Sequence, residues 1–498
     1  ARGTPISNSS SRYCQADTAA KARATAANNN FFTSLTAPEF NAQNHDIVTN
    51  DCHYWQSFMQ PKGSAMQLQT RIRSAAAGFL SSKAFADLLR RIARGKRALT
   101  GKPPTVHYFH QVNDPYSHLA VQKLDALRQQ YTLPFIAHLV SESADAFKGS
   151  AEHFAHWAQH DASAIASGYA TTLNIVGTPT AEQIHMANLR LGALIDNDTF
   201  AAEATAVGTE LWEHSISLDA VEAARTIETH NALATGNALR KQLGHYAGAM
   251  FYFDGEWYWG VDRLHLLERR LIDEGYASAK ATPTVPPPRA TNTAGFNAEQ
   301  ITLEYFPSLR SPYTAVGHQR VLALIERSGV SVKLRPVMPM LMRGVPAPPA
   351  KQRYIITDAA REGRFHGAPL GRIVDPFGDP VKAAFNLYAG AEALHQGMDF
   401  VTAYLSAAWQ QGIDIATTKG LQQVAHNAGI DWQAMIDAAA QTDWQTLLDE
   451  NLKALTHANL WGVPSFRVSG GDNPEPFACW GQDRIWRVEE EIAKRITE

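Results

Sequence analysis

The chain reads as an α/β protein in which one architecture is made twice, behind a partly disordered and helical N-terminal region. Three observations predict this. A proline-rich stretch, Ala281-Thr-Pro-Thr-Val-Pro-Pro-Pro-Arg289, is a stiff spacer within a linker drawn at residues 276–299. The segments on either side, 104–275 and 300–498, run through the same succession of strand-like and helix-like text. Both close on matching words, Trp259-Gly-Val-Asp-Arg-Leu264 and Trp480-Gly-Gln-Asp-Arg-Ile485. With 498 residues, 45% of them apolar and 19% charged, the chain has material for roughly two to four domains, each with its own core.

Residues 1–65 are rich in Ser, Thr, Asn and Ala and carry no sustained apolar period, so they are expected to be a disordered or non-native leader. The first methionines are Met59 and Met66, and the functional chain is expected to begin near one of them. Residues 66–103 then hold Arg71, Arg73, Lys83, Arg90, Arg91, Arg94, Lys96, Arg97 and Lys102 against a single acid, Asp87. These alternate with Phe79, Leu80, Phe85, Leu88, Leu89 and Ile92 at helical spacing. The ordinary expectation is one or two basic helices that lay this apolar stripe on the body and leave the charges in water. The competing one is an element that binds a membrane surface or RNA.

Each repeat opens with a short β-like run and an unusual turn, at Val106 to Ser117 and at Ile301 to Thr314. A helix follows, marked by Leu119, Val121 and Leu124 in the first repeat and by Val316, Val321 and Leu324 in the second. A second strand comes at Phe135–Val140 and Val332–Val337, then a long alanine-rich helical region, then a hairpin-like segment ending in the shared signature. Strand, helix, strand, helical insert, hairpin and terminal helix argue for a mixed sheet in each half.

Residues Ser311-Pro312-Tyr313 after the first strand, Lys351 to Tyr354 with Asp358 at the start of the insert, Gly462-Val463-Pro464-Ser465-Phe466, and Trp480-Gly-Gln-Asp-Arg484 stand in a familiar order and spacing. In these residues the second repeat resembles the DsbA-like thioredoxin-fold family that contains 2-hydroxychromene-2-carboxylate isomerase and the kappa-class glutathione transferases. The likeness covers roughly residues 300–498; 104–275 resembles the family more faintly, as a degenerate copy, and 1–103 not at all. The fold class implied is two tandem thioredoxin-like (DsbA-like) domains, each with an α-helical insert.

The resemblance implies glutathione as cofactor and a thiolate addition–elimination on a conjugated aromatic acid. The alternatives are a kappa-like transferase acting on electrophiles and a non-catalytic binding or scaffold protein. Ser311 falls where dithiol oxidoreductases of the fold place a cysteine, and its chemistry suits the role of an activator. Pro312 fits the first turn of a helix, whose unpaired N–H groups and dipole favour an anion. A free thiol of pKa about 8.5 is only a few per cent ionised at neutral pH, so each unit of depression multiplies the nucleophile about tenfold. By the same resemblance Pro464 is a cis-proline, and the backbone of Val463 pairs with the tripeptide by strand addition. Tyr313 belongs to the motif, and Gln482, Asp483 and Arg484 hold the γ-glutamyl end, unless Asp483 and Arg484 merely cap the last helix.

The sequence also departs from the family. Where members often carry Gly-Asn-Pro-Pro, it has Val345-Pro346-Ala347-Pro348-Pro349, without Asn; Arg343 or Lys351 is the candidate replacement donor. The first repeat has Asp114 in place of Ser311, and no proline occurs between Pro179 and Pro283, so it is not expected to hold glutathione. Single-domain members dimerise, so the two repeats are expected to pack as an intramolecular pseudo-dimer, one half catalytic and the other structural.

Other functions are disfavoured. The formal charge is -3, from 45 basic and 48 acidic residues, which supplies no global field for nucleic acid. No apolar run reaches the roughly eighteen residues of a membrane span, so a soluble, cytoplasmic protein is expected. Cys14, Cys52 and Cys479 are too scattered for a CxxC pair or a four-thiolate zinc site, with Cys479 expected to be buried. His153, His156 and His160 share a helical face but have no evident carboxylate or thiolate partner, so no metal is expected. Nucleotide-binding, zinc-protease and serine-hydrolase motifs are missing.

Overall fold

The computed structural model describes residues 64–195, 197–217, 225–278, 280–295, 297–471 and 473–497. The expected disordered leader therefore lies outside the described residues except at Ser64 and Ala65, which open a helix that also contains Met66, while Met59, the other expected start, is not among the described residues. The chain divides into Ala1–Gln60 and Pro61–Glu498, and all the described residues belong to the second unit.

Two four-stranded sheets form the scaffold. In the first, strands β1 (Val106–His110), β2 (Phe135–Leu139), β3 (Met250–Phe253) and β4 (Glu256–Trp259) lie in the order β2-β1-β3-β4. In the second, β5 (Ile301–Phe306), β6 (Ser331–Leu334), β7 (Ser465–Gly470) and β8 (Asn473–Trp480) lie in the order β6-β5-β7-β8. The first pair in each half is parallel and the other two are antiparallel. A parallel pair needs a crossover, and the Pro312–Ser328 helix supplies it in the second half.

The central strands β1 and β5 are aromatic and β-branched because both their faces are covered. Tyr108 stacks on Phe251 with ring centres 4.7 Å apart, and Tyr305 on Phe466 at 5.5 Å, in the corresponding place of each sheet. The inserts are helical. Ala151–Ala166, Ala181–Gly192, Phe200–Trp212 and Thr226–Gln242 belong to the first half, and six helices from Pro349–Phe365 to Trp444–His457 to the second.

The basic region forms two helices, Ser64–Leu80 and Lys83–Leu99, but the second lies the opposite way round from the ordinary expectation. Its arginines face the first half: Arg90 pairs with Glu256 at 2.9 Å, Arg94 with Glu274 at 2.9 Å and Arg97 with Asp254 at 3.0 Å. Spacings of four and three put these three cations on one helix face, and the acids of the β3–β4 hairpin and of the Gly260–Asp273 helix end select that face. Leu88, Leu89 and Ile92, expected to pack on the body, are exposed.

Candidate active site

The site is built where β5 ends. Phe306 pairs with Ser465 at the start of β7, so the turn 307–311 and Pro464 come to the same end of the sheet. Ser311 caps the Pro312–Ser328 helix: its Oγ accepts the Thr314 N–H at 3.1 Å, and Pro312 occupies the first turn. The hydroxyl proton of Ser311 has no acceptor among the described residues, and the residue is 7% exposed. Around it, the N–H groups and dipole of a 17-residue helix supply positive potential. Neighbouring Arg310 is drawn away, pairing with Asp375 at 2.5 Å and lying over the Phe377 ring at 4.6 Å. Trp409 Nε1 donates to Leu309 O at 3.1 Å, so the helical insert closes over the turn.

The Val463–Pro464 bond is cis. Pro464 O accepts from Gly481 N at 2.9 Å, whereas the N–H and carbonyl of Val463 engage no main chain among the described residues. The Trp480 indole lies so close over Gly462 that a Cβ there would meet it at 1.8 Å, and Trp461 and Trp157 pack around it, 5.1 and 4.8 Å between ring centres.

Several residues of the motif point elsewhere. Arg484 clasps Asp161, an insert residue of the first half, at 2.8 and 2.7 Å, and reaches Asp262 at 2.9 and 3.0 Å. Arg263, its counterpart in the first signature, clasps Asp358 of the second insert at 3.1 and 3.0 Å and reaches Asp483 at 2.9 Å. Tyr116 donates to Asp161 at 2.6 Å and Tyr313 to Asp358 at 2.9 Å, which completes two equivalent clusters. The side chains of Tyr313, Asp483 and Arg484 thus join the two halves, and among the described residues neither Asp483 nor Arg484 pairs with Glu489 or Glu490. The arrangement is the self-complementary one of an isologous contact. Burial alone would raise the Asp358 carboxyl, but the Arg263 and Arg361 guanidiniums hold it low, at about 2.

Gln482 is 1% exposed, donating to Glu362 at 2.7 Å and accepting from Arg320. Lys351 donates to Phe147 O of the first half at 2.8 Å, and burial lowers its ammonium to about 8. Arg343 donates to Trp461 O at 2.7 Å. Sequence reasoning missed Asp161 and Tyr116; the retention of Asp262-Arg263 in a half with a different turn was the one signal that the signature serves the contact.

The equivalent corner of the first half is closed by the chain itself. Ala249 stands in the place of Pro464, its carbonyl accepting from Gly260 N at 2.7 Å. Its N–H, which a proline lacks, donates to Ser117 Oγ at 2.8 Å, and that hydroxyl donates to Asp114 at 2.8 Å. Burial raises the Asp114 carboxyl to about 6.

A polar groove of about 760 Å³ opens between the Pro312–Ser328 helix and the second insert, lined by Gln319, Thr402, Ser406, Gln411 and Asn427. Gln319 lies eight residues beyond Ser311 on the same helix, about 12 Å along its axis. Ser311 does not line the groove. Among the described residues no group of three or more His, Cys, Asp or Glu side chains is arranged to hold a metal. His153 is held by Ser150 Oγ at 2.7 Å. Cys479 is buried, which pushes its thiol up.

Residues 302–493 match the DSBA-like thioredoxin domain family, and this part of the chain is a DsbA-like thioredoxin domain. Among solved structures, 2-hydroxychromene-2-carboxylate isomerase is 21% identical, with 39% of this chain and 95% of that one covered and a TM-score of 0.32. The cytosolic disulfide reductase DsbM from Pseudomonas aeruginosa is 18% identical, covering 39% and 98%, with a TM-score of 0.31. DsbA of Chlamydia trachomatis is 15% identical, covering 42% and 98%, with a TM-score of 0.25. No curated protein matches the chain in sequence.

Proposed function

We propose that the second half is a glutathione-dependent isomerase of the kind that acts on conjugated aromatic acids, with Ser311 as the group that keeps the visiting thiol ionised. One observation carries this: a serine hydroxyl whose proton has no acceptor among the described residues, at a helix N-terminus and at the sheet end where the main chain of Val463 is likewise unengaged by them. The chain has a serine, not a cysteine, at 311, and among the described residues the thiol of Cys479 is buried, so in this reading the sulfur is borrowed. A tripeptide's cysteinyl unit can pair with Val463 as an added strand while its thiolate accepts from Ser311. The thiolate adds to an electron-poor carbon, the double bond becomes a rotatable single bond, and expulsion of the same thiolate after rotation returns glutathione unchanged. Ser311 and the helix amides also face the developing enolate charge. Because Asp483, Arg484 and Tyr313 are spent on the contact between halves, the γ-glutamyl end falls to main-chain groups. The two halves, each with its own sheet, then act as a covalent pseudo-dimer in which the first is structural.

Calorimetry with glutathione on the protein and on Ser311→Ala tests the reading. Binding with an ionised thiol at neutral pH, lost or raised by about one to two pKa units in the variant, supports it. No heat with the wild type ends it. A chromene carboxylate and a chlorinated nitroarene, offered in turn, divide isomerase from transferase, since conjugation consumes glutathione and isomerisation does not. The scaffold alternative is favoured by a specific fact, the low exposure of Ser311 beneath the insert, and the same titration decides it.

A further inference from the structure

The inverted Lys83–Leu99 helix leaves its apolar stripe in water. Six of the eight exposed large apolar side chains among the described residues belong to the two N-terminal helices: Ile72, Phe79, Leu88, Leu89, Ile92 and Leu99, the last 90% exposed. Leu88, Ile92 and Leu99 stand on the side of the helix opposite Arg90, Arg94 and Arg97, whose ion pairs fix its orientation. Phe79 and Phe85 meet edge to face at 5.4 Å, which joins the stripe across the bend between the helices.

Exposed Arg71, Arg73, Arg91 and Lys96 accompany the stripe and form no ion pair among the described residues. The one acid on the second helix, Asp87, is already occupied by Lys83 at 2.6 Å and Arg90 at 3.3 Å. An apolar stripe edged by cations, turned outward by these ion pairs on a chain of net charge -3, is therefore a local positive and apolar surface. No helix among the described residues is long and apolar enough to cross a membrane.

We infer that the two N-terminal helices dock the protein on an anionic lipid surface, the apolar stripe entering the acyl boundary and Arg91, Lys96, Arg71 and Arg73 meeting headgroup phosphates. Nucleic acid would use the cations but offers no place for six aliphatic and aromatic side chains, and a membrane of neutral lipid would use the stripe alone.

The test is flotation of the full chain with vesicles of phosphatidylglycerol and phosphatidylcholine, against vesicles of phosphatidylcholine only. The surface predicts binding to the mixed vesicles, at least about tenfold weaker on neutral ones and weakened by salt. Ile92→Ser with Leu99→Ser, and separately Arg91→Glu with Lys96→Glu, should each lower bound protein by about tenfold or more with unchanged melting temperature, since all four side chains are exposed. Equal binding by the Ile92→Ser, Leu99→Ser variant overturns the proposal, as does full-chain protein that stays in solution. Concentration-dependent self-association abolished by that variant, without vesicle binding, would show that a second copy covers the stripe and would likewise overturn it.

Discussion

Ser311 and Arg484 show two opposite kinds of legibility. A capping hydroxyl reaches only three residues along the chain, so Ser311-Pro312 announces its role in the local text, and the bond to Thr314 N follows. Arg484 has its partner 323 residues away in Asp161, and nothing near either residue records the pairing. Burial of these groups also sets the size of the effect. Arg484→Ala would strand the Asp161 and Asp262 carboxylates, both taken out of water, and should cost about 3–5 kcal/mol in chemical denaturation. A loss under about 1 kcal/mol would mean the cluster is solvated in solution and contributes little.

At the scale of elements, strands β1, β2, β5 and β6 were readable because their aromatic and β-branched runs are short and bounded by turns. The shared signature was readable as a repeat but not as a contact, because its meaning depends on which insert helix lies opposite. The Lys83–Leu99 helix was misread for a definite reason. Amphipathic reasoning assumes that water decides which face turns inward, whereas here three partly buried ion pairs to Asp254, Glu256 and Glu274 outweigh the stripe. Those acids lie about 160 to 180 residues downstream, and helical periodicity carries no information about them.

For the molecule as a whole, burial of neutral imidazoles sets the response to acid. His110, His245 and His265 are depressed by burial to about 3, and His118, His138 and His318 to about 4, from an ordinary 6.5. The unfolded chain binds protons at these positions first, so stability falls as pH drops below 6.5 and continues to fall toward 4. Asp358, held at about 2, adds a loss below its ordinary 3.8. Asp114, raised to about 6, works the other way, gaining stability as it is protonated, and Asp262 and Glu362, also raised by burial, act in the same sense; the depressed imidazoles, with His366 also at about 3, outnumber them. Melting temperature should decline steadily from pH 7 to 4; a flat profile would contradict the burial of these rings.

The paired clusters also determine what happens if the chain is cut within its proline-rich spacer. Freed of its companion, the fragment from 300 onward would carry Asp358 without Arg263, yet it would retain Arg484, the guanidinium that occupies the matching position. Two such fragments can satisfy each other by exchange, so sedimentation should find them as twofold-symmetric pairs and not as single particles.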